Sequence, residues 1–239
     1  MKTARFGFDA DLADLLPTAR RALSIDYQFS GPQSAKHLIE SLGIPHTEIG
    51  SITTAGRAVG LSYLVQDRDD VEVHGVLRGA DSDESPRFVL DGHLGRLSAG
   101  LRMLGMDCLY RRDYADDELA DTAVAEGRFL LTRDRRLLMR KVISRGYLVR
   151  NLEAREQLPE VAARFGLGRW SKPFSRCIRC NHLLQPVPKR DVLNRLQPLT
   201  RLYYEEFRLC AACGHIYWNG SHVERMRRVI AELQSESPT

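Results

Sequence analysis

The chain of 239 residues has no run of eighteen apolar residues, so no membrane-spanning helix is expected. Its opening stretch, MKTARFGFDADLADLL, lacks the basic-then-apolar build of a secretory signal, and a cytoplasmic protein is the expectation. Cysteine is scarce and odd in number: of five, four fall in two CxxC pairs near the C-terminus. That pattern argues against a disulfide framework and for reduced thiols that ligate a metal. No internal repeat is evident. What is present is ordinary for a globular protein, with 43% hydrophobic, 28% charged and 8% aromatic residues. Such a composition rules out a wholly disordered chain. The net charge of +4 is unevenly spread. Residues 1–85 hold 8 basic against 13 acidic residues, a net of −5, and residues 86–239 carry +9. The split implies separate modules, of which the basic one is suited to a polyanion. A chance imbalance of solvated surface charge is the plain alternative.

Residues 1–80 read as a small mixed domain. Stretches 3–8 and 24–29 alternate (Phe6 and Phe8; Ile25, Tyr27 and Phe29), as half-buried strands do. Ser34 precedes AKHLIESLGI, where Leu38, Ile39 and Leu42 recur at helical spacing before Gly43 and Pro45 end the helix. Strand-like stretches at 48–53 and 71–76 complete the order strand, strand, helix, strand, strand, which is that of a β-grasp fold. The polar GADSDESP at 79–86 reads as a linker.

Residues 86–168 alternate strand and helix. Strands are expected at 87–90, 107–110, 129–132 and 146–149, and helices at 95–104, 117–126 and 135–144. This order predicts a parallel α/β sheet, whose strand ends face a ligand crevice. Asp91 and Asp134 stand at or just beyond two of those strand ends, and Asp116, Asp117 and Glu118 at a helix start. Carboxylates converging on one crevice repel unless a hard cation joins them, and their oxygens suit Mg²⁺ or Mn²⁺. Such a cation activates water and stabilises charge on a phosphoryl oxygen. Structural alternatives stand beside this reading. Asp116–Glu118 fits a helix N-cap with its dipole partners, Asp134 the N-cap of the next helix, and Asp91 an ordinary turn.

In residues 171–239, Cys177, Cys180, Cys210 and Cys213 form the most specific local pattern, because zinc takes four tetrahedral ligands and two CxxC turns supply them. Zinc would also lend fold energy to a segment with little core. His182 and His215 offer a Cys₃His variant, and an iron–sulfur cluster lacks its usual closer cysteine run. Cys108 reads as a buried apolar residue on a strand. A basic helix is expected at 223–233.

Arginines and lysines are frequent nearby: Arg111, Arg112, Arg133, Arg135, Arg136, Arg140, Lys141, Lys189, Arg190, Arg225, Arg227 and Arg228. They are interleaved with Tyr203, Tyr204, Phe207, Tyr217 and Trp218. Cations with stacking faces suit single-stranded nucleic acid. Solvated helix faces and a packed ribbon core are the alternatives, and for the aromatics packing is the favoured one. Arg133, Arg135 and Arg136, beside Asp134, are the candidates for phosphate contact.

These residues carry a resemblance. FVLDGHLGRLSAGLRMLGMDCLY and DDELADTAVAEGRFLLTRDRRLL resemble the Mut7-C ribonuclease domain, a compact relative of PIN nucleases. Asp91, the LRMLG stretch at 101–105, DDEL and the TRD at 132–134 are its motifs, followed by the two cysteine pairs and, after Tyr217-Trp218, SHVERMRR. HLIESLGIPHTE and LVQDRDDVEVHGV are similar to the ubiquitin-like domain fused ahead of it in bacteria. The resemblance implies a ubiquitin-like β-grasp domain (1–80), a PIN-like parallel α/β domain (86–168) and a zinc ribbon with a basic helix (171–239).

It further implies divalent-metal-dependent RNA cleavage by Asp91, Asp116 and Asp134, with Asp117 a close neighbour, and zinc on the four cysteines. Many PIN nucleases have a fourth acid after a later strand. Here Asn151 follows YLVR and Glu153 is the nearest carboxylate, a departure that motivates the alternative of a non-catalytic RNA- or ribosome-associated binding protein. The first domain runs on through GVLRGADSDESP without a free diglycine end, which favours binding a protein partner over covalent transfer.

Overall fold

The computed structural model of the chain describes residues 1–18, 21, 23–76 and 84–220. The expected basic helix at 223–233, the SHVERMRR motif and most of the linker lie outside the described residues. Packing divides the chain into two units: Met1–Ala80 with Ala115–Leu148, and Asp81–Tyr114 with Val149–Thr239.

The first unit begins with strand β1 (Lys2–Phe8), which buries Ala4, Phe6 and Phe8. A one-turn helix α1 (Ala10–Ala13) follows, capped by Asp9, which accepts from Leu12 N at 2.9 Å and from Gly75 N at 2.7 Å. Next come β2 (Ser24–Phe29) and helix α2 (Ala35–Ser41), whose N-cap Ser34 accepts from His37 N. A 3₁₀ turn (His46–Glu48) leads to β3 (Ile49–Thr54), β4 (Arg57–Val59) and β5 (Asp70–Gly75). The sheet order is β2-β1-β5-β3-β4, with β1 and β5 parallel at the centre (Phe6 opposite Val71, Phe8 opposite Val73). This is the expected β-grasp, with β4 and α1 added. The β3–β4 hairpin turns through Ala55 and Gly56, both at positive φ, as a tight two-residue turn requires.

The same unit takes in half of the middle segment, each part of which the sequence placed in one domain. In the second unit β6 (Phe88–Leu90), fully buried, runs parallel to β7 (Cys108–Tyr110), and helix α3 (Gly95–Met103) connects them. Back in the first unit, helix α4 (Asp116–Glu126) buries Leu119, Ala120 and Ala123 and stops at left-handed Gly127. Strand β8 (Phe129–Thr132) leads into the one-turn helix α5 (Arg135–Leu138) and then β9 (Gly146–Leu148), parallel to β8. The helix expected to reach residue 144 ends after one turn. Beyond Met139 the N–H groups of Arg140 and Ile143 bond three residues back, to Leu137 O and Arg140 O, so the chain continues in turns, with Ile143 in the core and its carbonyl taken by His46.

The second unit continues with α6 (Ala154–Phe165), which was not expected and holds Pro159 inside it. It packs Leu158 against Gly100, and Phe165 edge-on to Phe88 at 5.1 Å. The ribbon follows: β10 (Leu184–Val187), α7 (Lys189–Val192), α8 (Pro198–Tyr203), β11 (Phe207–Cys210) and β12 (Ile216–Trp218), an antiparallel sheet in the order β10-β11-β12. Its small core is Val192, Leu196, Phe207 and Ile216, with Val187, Tyr204 and Leu209 around it. The parallel pairs and the cysteine ribbon thus follow the expected α/β order. No helix among the described residues is long and apolar enough to cross a membrane.

Candidate functional site

In the second unit Asp91 directly follows β6 and opens a 3₁₀ turn (Gly92–Leu94), with its own carbonyl accepting from Leu94 N at 2.9 Å. The loop runs hard against the end of β7: Tyr110 Oη donates to Gly92 O at 2.9 Å. A Cβ at Gly92 would come within 2.5 Å of Arg112 O, so only glycine lets the chain pass there beside Asp91.

In the first unit Glu118 Oε2 accepts from Ala115 N at 3.0 Å, half of a capping box at the start of α4. Asp116 and Asp117 are exposed in the same first turn, and Asp117 is ion-paired with Arg140, whose pKa it raises. Two residues beyond β8, Asp134 is an N-cap: its Oδ1 accepts from Arg136 N at 2.7 Å, and its N–H reaches the fully buried Thr132 Oγ1 at 2.9 Å. The capping role read from the sequence is therefore present, and the carboxylate remains exposed. Arg133 and Arg136 are exposed. Arg135 is turned elsewhere, with Nη1 donating to Leu15 O and, at 3.1 Å, to Gly43 O.

After β9 no acid occupies position 151, and Glu153 starts α6 as its N-cap residue without a side-chain cap. A carboxylate nevertheless comes to this strand end from one helix further on. Glu160 Oε1 accepts from Arg150 N at 2.7 Å, and Oε2 accepts from Asn151 N and Nδ2, both at 2.9 Å. Sequence reading missed Glu160 because it is nine residues from Asn151 and its helix carries Pro159, a residue that argues against a helix.

The four cysteines converge. Their Sγ atoms all lie within 4.8 Å of one another, with Cys177–Cys213 at 3.5 Å and Cys180–Cys210 at 3.4 Å. Thiolates about 2.3 Å from a tetrahedral ion stand about 3.8 Å apart, so this donor set fits zinc. It is the one group of three or more such donors found among the described residues, and no histidine belongs to it.

The two knuckles are built alike. Cys177 N donates to His182 O and Asn181 N to Cys177 O; Cys210 N donates to His215 O and Gly214 N to Cys210 O. Burial pushes the Cys177 thiol up, but the Tyr217 hydroxyl at 3.1 Å, backbone N–H groups of Cys180 and Arg179 and the Cys213 thiol outweigh it and bring it to about 6. Burial pushes Cys180 up to about 12.

The LRMLG stretch holds this centre in place. Arg102 is only 4% exposed, and its guanidinium donates to Cys108 O (2.9 Å), Ile178 O (3.0 Å) and Arg179 O (2.9 Å). Asn181, at φ 69°, accepts from Cys108 N and donates to Asp107, which Arg176 also meets. Gly105, at φ 88°, passes Lys172 O so closely that a Cβ would collide with it. Cys108 is buried, as expected. On the ribbon, Tyr204, Phe207, Tyr217 and Trp218 border a cleft of about 840 Å³ together with Glu205 and Glu206. Arg208 and His215 line it as well.

No curated protein matches the chain. Two crystal structures of small archaeal modifier protein 1 from Haloferax volcanii resemble it at 13% identity and a TM-score of 0.27, covering 32% and 33% of this chain and 100% and 99% of their own. The family model described as Mut7-C ubiquitin matches residues 1–81, and that described as Mut7-C RNAse domain matches residues 86–230. The chain therefore belongs to the Mut7-C RNAse family, with the Mut7-C ubiquitin domain ahead of the RNAse domain.

Proposed function

We propose that the chain is a divalent-metal-dependent ribonuclease acting on single-stranded RNA, with Asp91, Asp116 and Asp134 holding Mg²⁺ or Mn²⁺ and the four cysteines holding a structural zinc. The observation that carries the reading is that, in an RNAse-family chain, Asp91 directly follows strand β6 and the exposed Asp134 lies two residues beyond β8. Hard carboxylate oxygens are the donors that Mg²⁺ and Mn²⁺ prefer. Bound there, the cation supplies an activated water and neutralises charge on the phosphoryl oxygens. Arg133 and Arg136 are free to orient the RNA backbone; Arg135, spent on two carbonyls, is left out of that role.

The test is cleavage of single-stranded RNA with Mn²⁺ by purified wild type and by Asp91→Asn and Asp134→Asn. Loss of one positioned carboxylate is expected to lower the rate by roughly a hundredfold or more in each variant. Unchanged cleavage in both, with folded protein, overturns the assignment.

A second reading is favoured by one observation. The strand end after β9 presents Asn151, and both oxygens of Glu160 are engaged by backbone and side-chain N–H groups there. The chain would then bind RNA in a salt-sensitive way and show no cleavage with Mn²⁺.

A further inference from the structure

We propose that the β-grasp domain positions the acidic loop of the RNAse domain, with Arg135 and Glu48 as its two positioning residues; this rests on the nuclease reading of Asp134. Thr132 Oγ1 and the cap to Arg136 N fix the Asp134 carboxylate only relative to its own loop. That loop leads into a helix of four residues, too short to hold itself in place. Two lines of contact from the β-grasp supply the missing anchor.

The first line runs through Arg135. Its guanidinium donates to Leu15 O, just beyond α1, and to Gly43 O, just beyond α2. Carbonyls at helix C-terminal ends lack helical partners and carry partial negative charge, so a guanidinium is a well-matched donor. The residue adjoining Asp134 is thus tethered to two helix ends of the N-terminal domain.

The second line runs through the 3₁₀ turn. Glu48, 2% exposed, accepts from Leu148 N at 2.6 Å through Oε1. Leu148 is the register partner of Thr132, and Thr132 holds the Asp134 N–H. In the turn ahead of β9, His46 Nε2 donates to Ile143 O at 2.7 Å, while its Nδ1 meets Glu40 Oε1 at 2.7 Å. Both lines end on the segment that carries Asp134. Packing accordingly groups residues 115–148 with the β-grasp.

The decisive experiment compares wild type, Arg135→Ala, Arg135→Lys and Glu48→Gln by kcat and KM for Mn²⁺-dependent RNA cleavage and by amide hydrogen exchange over residues 130–138. Displacing a reacting group by an ångström costs roughly a hundredfold. Arg135→Ala is expected to lower kcat at least tenfold with KM within twofold, and to speed exchange at residues 134–138 at least tenfold. Arg135→Lys recovers part of both, and Glu48→Gln gives a smaller effect of the same kind. A raised KM with unchanged exchange would make Arg135 a substrate contact and overturn the proposal. If the wild type does not cleave RNA, the nuclease reading fails, and the exchange data alone still decide whether the β-grasp fixes this loop.

Discussion

The acidic loop around Asp134 and the first zinc knuckle around Cys177 are both short turns that must present a ligand-bearing side chain, yet they are held in different ways. The knuckle has its donors in its own sequence: two cysteines three residues apart, an asparagine at positive φ and a repeated backbone pattern. Arg102 and Asn181 then bind it to α3 and β7. The acidic loop has only a cap and a threonine of its own, and its outer anchors come from residues 92 to 120 positions away in the chain. The knuckle thus combines a local backbone pattern of its own with distant anchors on α3 and β7. The loop of Asp134, proposed as a metal ligand, takes its outer support from the β-grasp.

The largest way to break this comparison is on the knuckle side. Cys210→Ser removes one of four thiolates and, with it, zinc binding worth on the order of 10 kcal/mol. Metal analysis should show loss of zinc, and limited proteolysis should open residues 171–220. A variant that keeps its zinc and its protection would show that the ribbon core alone suffices.

Arg102→Ala is the next in size. It strips the donor from three carbonyls in a nearly buried place, and urea denaturation should show a loss of about 3 kcal/mol. Arg102→Lys should restore less than half of that, since a point charge cannot reproduce the planar fork.

The smallest effect is expected at Asp117→Asn. That residue pairs with Arg140 at the surface, and exposed pairs contribute little, so thermal denaturation should show no measurable shift. A clear loss would mean that α4 depends on this pair as the loop depends on Arg135.

The β-grasp strands were legible because Phe6 and Phe8, spaced by Gly7, and Val71 and Val73, spaced by Glu72, recur at a period of two on a buried face. The cysteine centre was legible because tetrahedral ligation restricts spacing. Asp91, Asp116 and Asp134 were legible as positions, since strand ends and helix starts follow from patterning. What stayed hidden depends on distant partners. Helix α5 gives way to turns after Leu138, with Ile143 O taken by the distant His46, α6 carries Pro159 inside it, and Glu160 reaches Asn151 from that helix. Arg135 read as a phosphate contact because an arginine beside an aspartate looks the same whether it faces RNA or two carbonyls. The contacts of Glu48 and Arg135 with the segment bearing Asp134 were likewise hidden, because their partners lie about a hundred residues away in the chain.

The proposed nuclease function needs Asp91, Asp116 and Asp134 as ligands of a divalent cation. Its most direct test is a Mn²⁺ titration of zinc-loaded protein followed by electron paramagnetic resonance. The wild type should bind one Mn²⁺ that is lost equally in Asp91→Asn and Asp134→Asn. Full Mn²⁺ binding in both variants, or none in the wild type, would contradict the account.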